Sequence, residues 1–325
     1  MRVRREADAT MAEKRKECQT VSEALLDDPE LLRRIQALLL KMLKDFDDTC
    51  RRLDIPYSVY GGTMIGAIRH QGFIPWDDDV DVLMTRADYE RFLAEAPSVL
   101  PDDYQIDNTR TRPEYPFMFT KLGLKGTLLI PEFGKGSAYR MPISLDILPV
   151  DNVPDDVRAF RRMSRKTWLW GRLLYLQGTP TPYLIGITGA KRMAIYTITS
   201  AIHVGLRLMR ATPRSLQGRW EKAARTYEHA TTKRMADFSM RDPENWAVTM
   251  DDLYPPLELP FENITVQVAR NYDAMMRRSY GDYMELPPLE QRRNHKPCEI
   301  DFGPYADTAE TSTEPASGTT GAAAD

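Results

Sequence analysis

A glycine pair followed by a run of aspartates constrains this chain more than any other feature of its sequence. The glycines lie in Tyr60–Thr63 and the aspartates in Asp77–Asp81. Backbone amides of a glycine turn can approach phosphate oxygens closely, because glycine has no side chain. If the chain is extended through Asp79 and Asp81, both carboxylates project from one face while the valines beside them enter the core. Two such carboxylates suit Mg²⁺, which also takes substrate phosphates as ligands.

Two other interpretations of the acidic run are weighed against this one. Asp77, Asp79 and Asp81 occupy the first, third and fifth positions of a calcium loop, but Val82 stands where that loop needs glycine. A solvated acidic loop is the second alternative. The run follows the apolar segment Phe73–Trp76 and leads into further apolar residues. Burying unpaired carboxylates costs several kcal/mol, so acids in this setting need a partner.

The same residues carry a resemblance to a known family. The run Gly61–Asp81, continued by Arg86, Asp88, Tyr89 and Phe92, resembles the signature of the LicD family. That family includes bacterial phosphocholine transferases and, more distantly, the fukutin-type ribitol-phosphate transferases. Two later blocks are also similar to it. They are a second acidic strand at Ile143–Asp151 and a C-terminal motif at Tyr280–Met284, Pro287–Pro288 and Arg292–His295.

The resemblance implies an α/β (α+β) architecture of the nucleotidyltransferase type, with a short mixed sheet flanked by helices. The pattern of charged and apolar residues in the middle of the chain adds a helical basic insertion to this fold. It implies that Asp79, Asp81 and Asp146 are catalytic and bind Mg²⁺ or Mn²⁺. The residues expected to bind the donor phosphates are Gly61, Gly62, Thr63, Arg69 and Lys121. For the general base the sequence offers Asp77, His70 and His295 without ranking them, and Asp146 is a further candidate for that role.

The function implied is a metal-dependent transfer of a phospho-alcohol group, phosphocholine first, from a CDP-linked donor such as CDP-choline. The acceptor would be a hydroxyl of a cell-surface glycan, such as lipopolysaccharide or teichoic acid, or of its lipid-linked precursor, and CMP would be released. One alternative is a nucleotidyltransferase that moves NMP from a nucleoside triphosphate. The other is a non-catalytic binding module of the same fold.

Local signals divide the chain. Asp28 followed by Pro29 predicts the start of a helix, and Pro149 predicts the end of a short apolar strand around Asp146. Three scattered cysteines and the lack of an apolar leader favour a reducing compartment. The predicted divisions are a charged extension (1–27), a catalytic core (28–153), a basic amphipathic helical insertion (154–250), the C-terminal part of the catalytic domain (251–305) and a disordered tail (306–325).

The middle of the chain is strongly basic. Between Asp156 and Glu221 there are twelve lysines and arginines and no acidic residue, although the whole chain carries a net charge of −3. This asymmetry indicates an anionic partner. Trp, Tyr and Leu alternate with these charges, so we expect residues 157–220 to contact the anionic inner face of the cytoplasmic membrane peripherally, in a cytoplasmic protein. The alternative is a helical subdomain with a solvated basic face. No nucleic-acid motif accompanies the charge, and no nucleic-acid partner is expected.

Overall fold

The computed structural model describes residues 28–184, 186–292, 294–295 and 297–306. The predicted extension 1–27 and all but the first residue of the predicted disordered tail lie outside the described residues. The helices are α1 (Pro29–Leu53), α2 (Gly61–Ile65), α3 (Arg86–Glu95), α4 (Val157–Gly178), α5 (Gly189–Leu208), α6 (Pro213–Ala224), α7 (Met250–Leu253) and α8 (Tyr272–Tyr280). The strands are β1 (Ser58–Val59), β2 (Asp81–Thr85), β3 (Tyr104–Asp107), β4 (Thr120–Leu124), β5 (Leu128–Pro131), β6 (Ser144–Val153), β7 (Arg234–Ala236), β8 (Leu257–Phe261), β9 (Ile264–Val268) and β10 (Pro297–Asp301).

A mixed sheet forms the centre of the molecule. Within the described ranges it has six strands, in the order β1-β2-β6-β4-β3, and β7 also pairs with β6. Strands β2 and β6 are parallel, whereas the other pairs of this sheet are antiparallel. Two-stranded sheets β5–β10 and β8–β9 lie beside it. The predicted fold class, a mixed sheet flanked by helices, is therefore confirmed.

Helix α1 begins where the sequence predicts. The Asp28 carboxylate accepts hydrogen bonds from the backbone N–H groups of Glu30 and Leu31, which caps the helix. One face of the helix is fully buried, and its rings and aliphatic chains recur every three or four residues. Phe46, on this face, lies 5.0 Å from the ring of Tyr57 and 5.2 Å from the ring of Phe92. Burial of each such side chain contributes roughly 1.5–3 kcal/mol, and this packing fixes α1 against the sheet.

Strand β6 is longer than the sequence predicts. The expectation that it ends at Pro149 is wrong, because the strand continues to Val153. On one edge, the pairing with β4 stops at Ile147 and the pairing with β7 starts at Asp151. Pro149 lies in the gap between these two ladders, where its missing N–H leaves no strand partner unsatisfied. Strand β2, by contrast, begins at Asp81, so Asp79 precedes the strand.

Residues 157–224 fold into the helices α4, α5 and α6. Phe160 and Met163 of α4 and Trp220 of α6 belong to a second apolar cluster, which also includes Val153 of β6 and Ala236 of β7. Helix α5 is different, because Leu206 is the one buried side chain along its length, all of which the structure describes. No helix in the described part of the chain is both long enough and apolar enough to cross a membrane.

A buried ion pair joins helix α3 to the sheet. The Arg86 guanidinium donates to both carboxylate oxygens of Asp151, at 2.8 and 2.7 Å. Side-chain exposure is 6% for Arg86 and 1% for Asp151. Because both charges have lost their water, each depends on the other for solvation. The pair thus fixes the start of α3 to β6 at the position where β7 joins the sheet.

We expect Arg86→Met to reduce the free energy of unfolding by about 3–5 kcal/mol, because it leaves the Asp151 carboxylate buried without its cation. Chemical denaturation would measure this loss, and adding Asp151→Leu should restore much of it. The matched control is Arg33→Met, which removes a pair with Glu30 whose side chains are 65% and 47% exposed. That change should cost at most about 1 kcal/mol. Equal losses at the two arginines would contradict the role assigned to the buried pair.

Candidate active site

The parallel pairing of β2 and β6 brings two of the predicted site residues together. Asp81 and Asp146 are direct neighbours in the register of the two strands. On the other side of β6, Lys121 of β4 is the register neighbour of Asp146. The Lys121 ammonium donates to Asp146 Oδ1 at 2.5 Å. Asp146 therefore lies between a second carboxylate on one strand and a buried cation on the next.

The glycine turn packs directly against these carboxylates. Gly61 has φ +54°, a left-handed conformation that glycine adopts without a steric penalty. A Cβ atom added at Gly61 would lie 3.2 Å from Asp81 Oδ2, and one added at Gly62 would lie 2.8 Å from Asp77 Oδ2. The Thr63 hydroxyl accepts a hydrogen bond from the Asp81 backbone N–H at 3.0 Å. Residues 61–63 thus set the position of Asp81 and leave room for the Asp77 side chain.

The rest of the acidic run is held by a histidine from the far end of the chain. The buried Asp78 carboxylate accepts from the backbone N–H of His295 at 3.0 Å and contacts its Nδ1 at 2.9 Å. The Nε2 atom of the same ring is 3.7 Å from Asp79 Oδ2. Burial opposes the charged imidazole, but the carboxylates of Asp79 and Asp78 outweigh it and raise the pKa of His295 to about 10. In this arrangement the histidine acts as a second cation of the site.

The carboxylates outnumber these cations. Burial raises the pKa of Asp77, Asp81 and Asp146, and the negative charge of Asp79 raises it further at each of them. A hydrogen bond between Asp77 and Asp79 adds to the effect at Asp77. Lys121 opposes the shift at Asp146 without cancelling it. The site is therefore short of positive charge.

The donor set suits a hard divalent cation, which prefers carboxylate oxygens. In the conformation described, however, no three or more His, Cys, Asp or Glu side chains of the described residues are already arranged as a metal site. The carboxylates instead face Lys121, His295 and one another. A bound cation would have to compete with these contacts. We therefore expect the carboxylate side chains to rearrange when a cation binds.

Two predicted site residues contact a different part of the molecule. The Arg69 guanidinium donates to the carbonyl oxygens of Tyr283 and Glu285, at 2.6 and 3.0 Å. His70 Nδ1 lies 3.4 Å from Arg69 Nε. Burial, assisted by the charge of Arg69, lowers the pKa of His70. In the structure, Arg69 fixes the helical turn after α2 to the C-terminal motif.

Two residues at the site were not among those that the sequence predicts. Asp78 is the main partner of His295, and its burial was signalled only by the apolar residues around it. The Tyr280 hydroxyl oxygen lies 3.7 Å from the position of a Cβ atom at Gly61, and its ring contacts Trp246 edge-on at 5.3 Å. Burial and then the carboxylate of Asp81 raise the pKa of Tyr280. Its place in the C-terminal motif was the available signal.

Comparison with known proteins gives one family and three relatives. The family model of the nucleotidyltransferase domain of LicD, FKTN and FKRP matches residues 54–114. The lipopolysaccharide cholinephosphotransferase LicD of Haemophilus influenzae is 28% identical over 285 residues, which are 81% of this chain and 95% of that protein. An uncharacterized protein of Rickettsia typhi is 30% identical over 28% of this chain and 29% of its own length. One of Rickettsia prowazekii is 43% identical over 14% of this chain and 16% of its own length.

The close packing of the glycine turn predicts the effect of a single methyl group. Gly→Ala inside a helix normally stabilises a protein by roughly 0.5–1 kcal/mol. We expect this gain for Gly218→Ala in α6, where a Cβ atom meets nothing within 4 Å. Gly62→Ala should destabilise instead, because its Cβ atom would displace the Asp77 carboxylate. Urea denaturation of both variants measures the difference, and a similar gain at both sites would contradict the packing described.

Proposed function

Because the chain belongs to the LicD family, we propose that it is a metal-dependent transferase that moves phosphocholine, or a related alcohol phosphate, from a CDP-linked donor. The acceptor is a hydroxyl group of a cell-surface glycan, such as lipopolysaccharide or teichoic acid, or of its lipid-linked precursor. The observation that carries the proposal is the glycine turn packed against Asp81, whose neighbour on the parallel strand β6 is Asp146. The match along 95% of a lipopolysaccharide cholinephosphotransferase supports the same chemistry.

In the proposed reaction the acceptor oxygen attacks the phosphorus that carries choline. A new P–O bond forms to the acceptor, and the bond from that phosphorus to the bridging oxygen breaks. CMP leaves with the bridging oxygen, and the acceptor proton passes to a base. Mg²⁺ or Mn²⁺, when bound by Asp79, Asp81 and Asp146, would supply the positive charge that neutralises the leaving phosphate. The excess of carboxylates over cations at the site supports this assignment.

The proposal gives each donor-binding residue a task. Gly61 and Gly62 lie close to Asp81 and Asp77, and their amides would meet the diphosphate without a side chain of their own intervening. Lys121, already beside Asp146, would turn its ammonium toward a phosphate oxygen. Thr63 acts through the backbone of Asp81, which it orients. Arg69 remains a proposed phosphate ligand, although its guanidinium contacts two backbone carbonyls in the described conformation.

Three residues remain candidates for the base that accepts the acceptor proton. Asp77 is close to the reacting carboxylates and hydrogen-bonds Asp79. His70 has a lowered pKa, so its neutral and basic form is available near pH 7. The pKa of His295 is raised to about 10, so its ring carries a proton in the conformation described. It could accept a proton only after a bound cation or substrate had weakened its interaction with the carboxylates. A pH profile of each variant would rank them.

We expect Asp81→Asn to abolish CMP release from CDP-choline, CDP-ribitol and CDP-glycerol, measured with Mg²⁺ or Mn²⁺ and a membrane glycan fraction. Removing the metal with EDTA should have the same effect on the unmodified protein, and adding Mg²⁺ or Mn²⁺ back should restore activity. The substitution removes one of several crowded negative charges, so the variant should be at least as stable as the parent. The matched control is Asp251→Asn, on the exposed first turn of α7, which should retain full activity.

Retained turnover in Asp81→Asn would contradict the metal assignment. If no CDP-linked donor releases CMP, the same protein should be tested with nucleoside triphosphates. Release of pyrophosphate would then support the nucleotidyltransferase alternative. The failure of both donor classes, together with an absence of divalent-metal binding by calorimetry, would support a non-catalytic module.

The proposal also includes peripheral contact between residues 157–220 and the anionic inner face of the cytoplasmic membrane. Large apolar side chains are exposed along this segment: Trp168, Leu169, Tyr183, Met193, Ile198, Val204, Leu208 and Met209. Basic residues lie at both ends of α5, and acidic residues do not occur in the segment. Exposed apolar side chains flanked by lysines and arginines favour an anionic bilayer surface.

We expect the protein to co-sediment with vesicles that contain phosphatidylglycerol, and salt should weaken this binding. Met193→Ser combined with Leu208→Ser should weaken it by about tenfold or more, because two exposed apolar side chains (66% and 80%) lose their contact with lipid. Leu289→Ser, at a 74% exposed leucine outside the segment, is the matched control. Equal binding to neutral phosphatidylcholine vesicles, or no binding, would contradict this part of the proposal.

A further inference from the structure

A cavity of about 280 Å³ opens between helix α4 and two loops. We call it the arginine cavity, because Arg165, Arg172 and Arg241 line it together with aromatic residues, and no acidic residue does. One wall is a single face of α4, where Arg165, Trp168 and Arg172 follow one another at helical spacing. The other walls come from the loop 116–118 before β4 and from the loop 238–243 after β7.

The sequence permits this cavity through one glycine. A Cβ atom added at Gly171 would lie 2.4 Å from the Met118 sulfur, so glycine lets α4 approach the loop before β4. The face of α4 on either side of that contact remains open to the cavity. The cavity is therefore formed where α4 packs against the loop before β4.

The charges at the cavity indicate an anionic ligand. Arg165, Arg172 and Arg241 are all exposed, and none has a carboxylate within ion-pair distance among the described residues. Guanidinium groups bind phosphate oxygens with paired hydrogen bonds. A phosphate monoester carries a charge of about −1.5 to −2 at neutral pH, which matches several arginines better than one carboxylate does.

The aromatic side chains indicate that the anion is attached to a ring with apolar faces. Trp168 is 55% exposed and lies under the Arg172 guanidinium, which is 5.8 Å from its ring centroid. Phe117 and Tyr175 supply further ring surface at the same cavity. The volume is at the lower end for ligand pockets. One sugar ring with its phosphate is a better match for this space than a whole nucleotide diphosphate.

The strand order separates this cavity from the glycine turn. The turn lies beside β1 and β2, the carboxylates lie on β2 and β6, and Lys121 lies on β4 beyond them. Phe117, which lines the cavity, is 5.4 Å from the Lys121 ammonium. The cavity therefore meets the carboxylates beside Lys121, whereas the glycine turn meets them at Asp81 and Asp77. A two-substrate transfer needs two such approaches to one centre.

From these observations we propose that the arginine cavity binds a phosphate-bearing sugar of the acceptor. The identification of this sugar as part of the acceptor rests on the proposed function. The binding of a sugar phosphate in the cavity does not. It assigns Arg165 and Arg172 to the phosphate and Trp168 to the sugar ring. The CDP-linked donor, in contrast, would bind over the glycine turn.

Calorimetry with soluble probes tests the site without turnover. Glucose 6-phosphate should bind, glucose and glycerol 3-phosphate should bind at least tenfold more weakly, and inorganic phosphate should bind more weakly as well. Arg165→Gln combined with Arg172→Gln should weaken glucose 6-phosphate binding tenfold or more. The control is Arg161→Gln combined with Arg162→Gln, which removes the same charge from exposed positions of the same helix outside the cavity and should change binding less than twofold.

A second comparison separates the ring from the phosphate. Trp168→Ala should weaken glucose 6-phosphate binding while leaving inorganic phosphate unchanged. Equal binding of glycerol 3-phosphate and glucose 6-phosphate would overturn the sugar assignment, since glycerol 3-phosphate resembles a lipid headgroup without a ring. Equal effects of the two arginine pairs would overturn the site itself.

The two proposals fail in different ways. If no donor releases CMP but substitution of the arginines weakens glucose 6-phosphate binding, the cavity assignment is supported and the proposed transfer is wrong. If CMP is released but glucose 6-phosphate binds equally well after substitution of Arg165 and Arg172, the cavity assignment alone is wrong. Competition between glucose 6-phosphate and CDP-choline for binding to Asp81→Asn would also overturn the cavity assignment, because the two ligands should occupy separate sites.

Discussion

The concentration of negative charge where β2 and β6 begin is the constraint on which the rest of this structure depends. Parallel pairing makes Asp81 and Asp146 neighbours, and the glycine turn brings Asp77 close to them. Two like charges about 4 Å apart repel by about 4 kcal/mol at an effective dielectric constant of 20. Two cations offset part of this repulsion: Lys121 on the neighbouring strand and His295 on the segment before β10. Both cations reach the carboxylates only when the segments that carry them have taken their places in the fold.

The site therefore depends on chain closure as much as on the sheet. His295 is 217 residues from Asp78, and Arg69 reaches the carbonyls of Tyr283 and Glu285 from a similar distance along the chain. These contacts bring the C-terminal motif over the glycine turn, where Tyr280 also lies. A motif that looks like a separate block in sequence is thus part of one electrostatic unit. Loss of the C-terminal segment would leave Asp78 buried without its main partner.

Features that depend on local periodicity could be predicted from the sequence, whereas features that depend on register could not. The capped start of α1 and its apolar face follow from residues three or four apart. The end of β6 could not be predicted from Pro149, because it depends on where the ladders of β4 and β7 stop. The contact between Asp78 and His295 has no local signal at all. The hydrogen bond from the Asp81 N–H to the Thr63 hydroxyl is likewise an arrangement that only the tertiary fold creates. The expected contact of Thr63 with the donor phosphate stays a prediction.

The basic helices and the acidic site of this chain have opposite effects on an approaching phosphate. A phosphate that approaches a site with more carboxylates than cations is repelled, and at physiological ionic strength this repulsion extends over a Debye length of about 8 Å. Arginines on α4 line a cavity together with Phe117, which lies beside Lys121, and they offset that repulsion along one approach. They do so without entering the carboxylate cluster, so they do not neutralise the charge that a divalent cation would need for binding. Phe117 lines the cavity and lies beside Lys121, so the proposed anion site and the proposed cation site would be neighbours that do not share charged side chains.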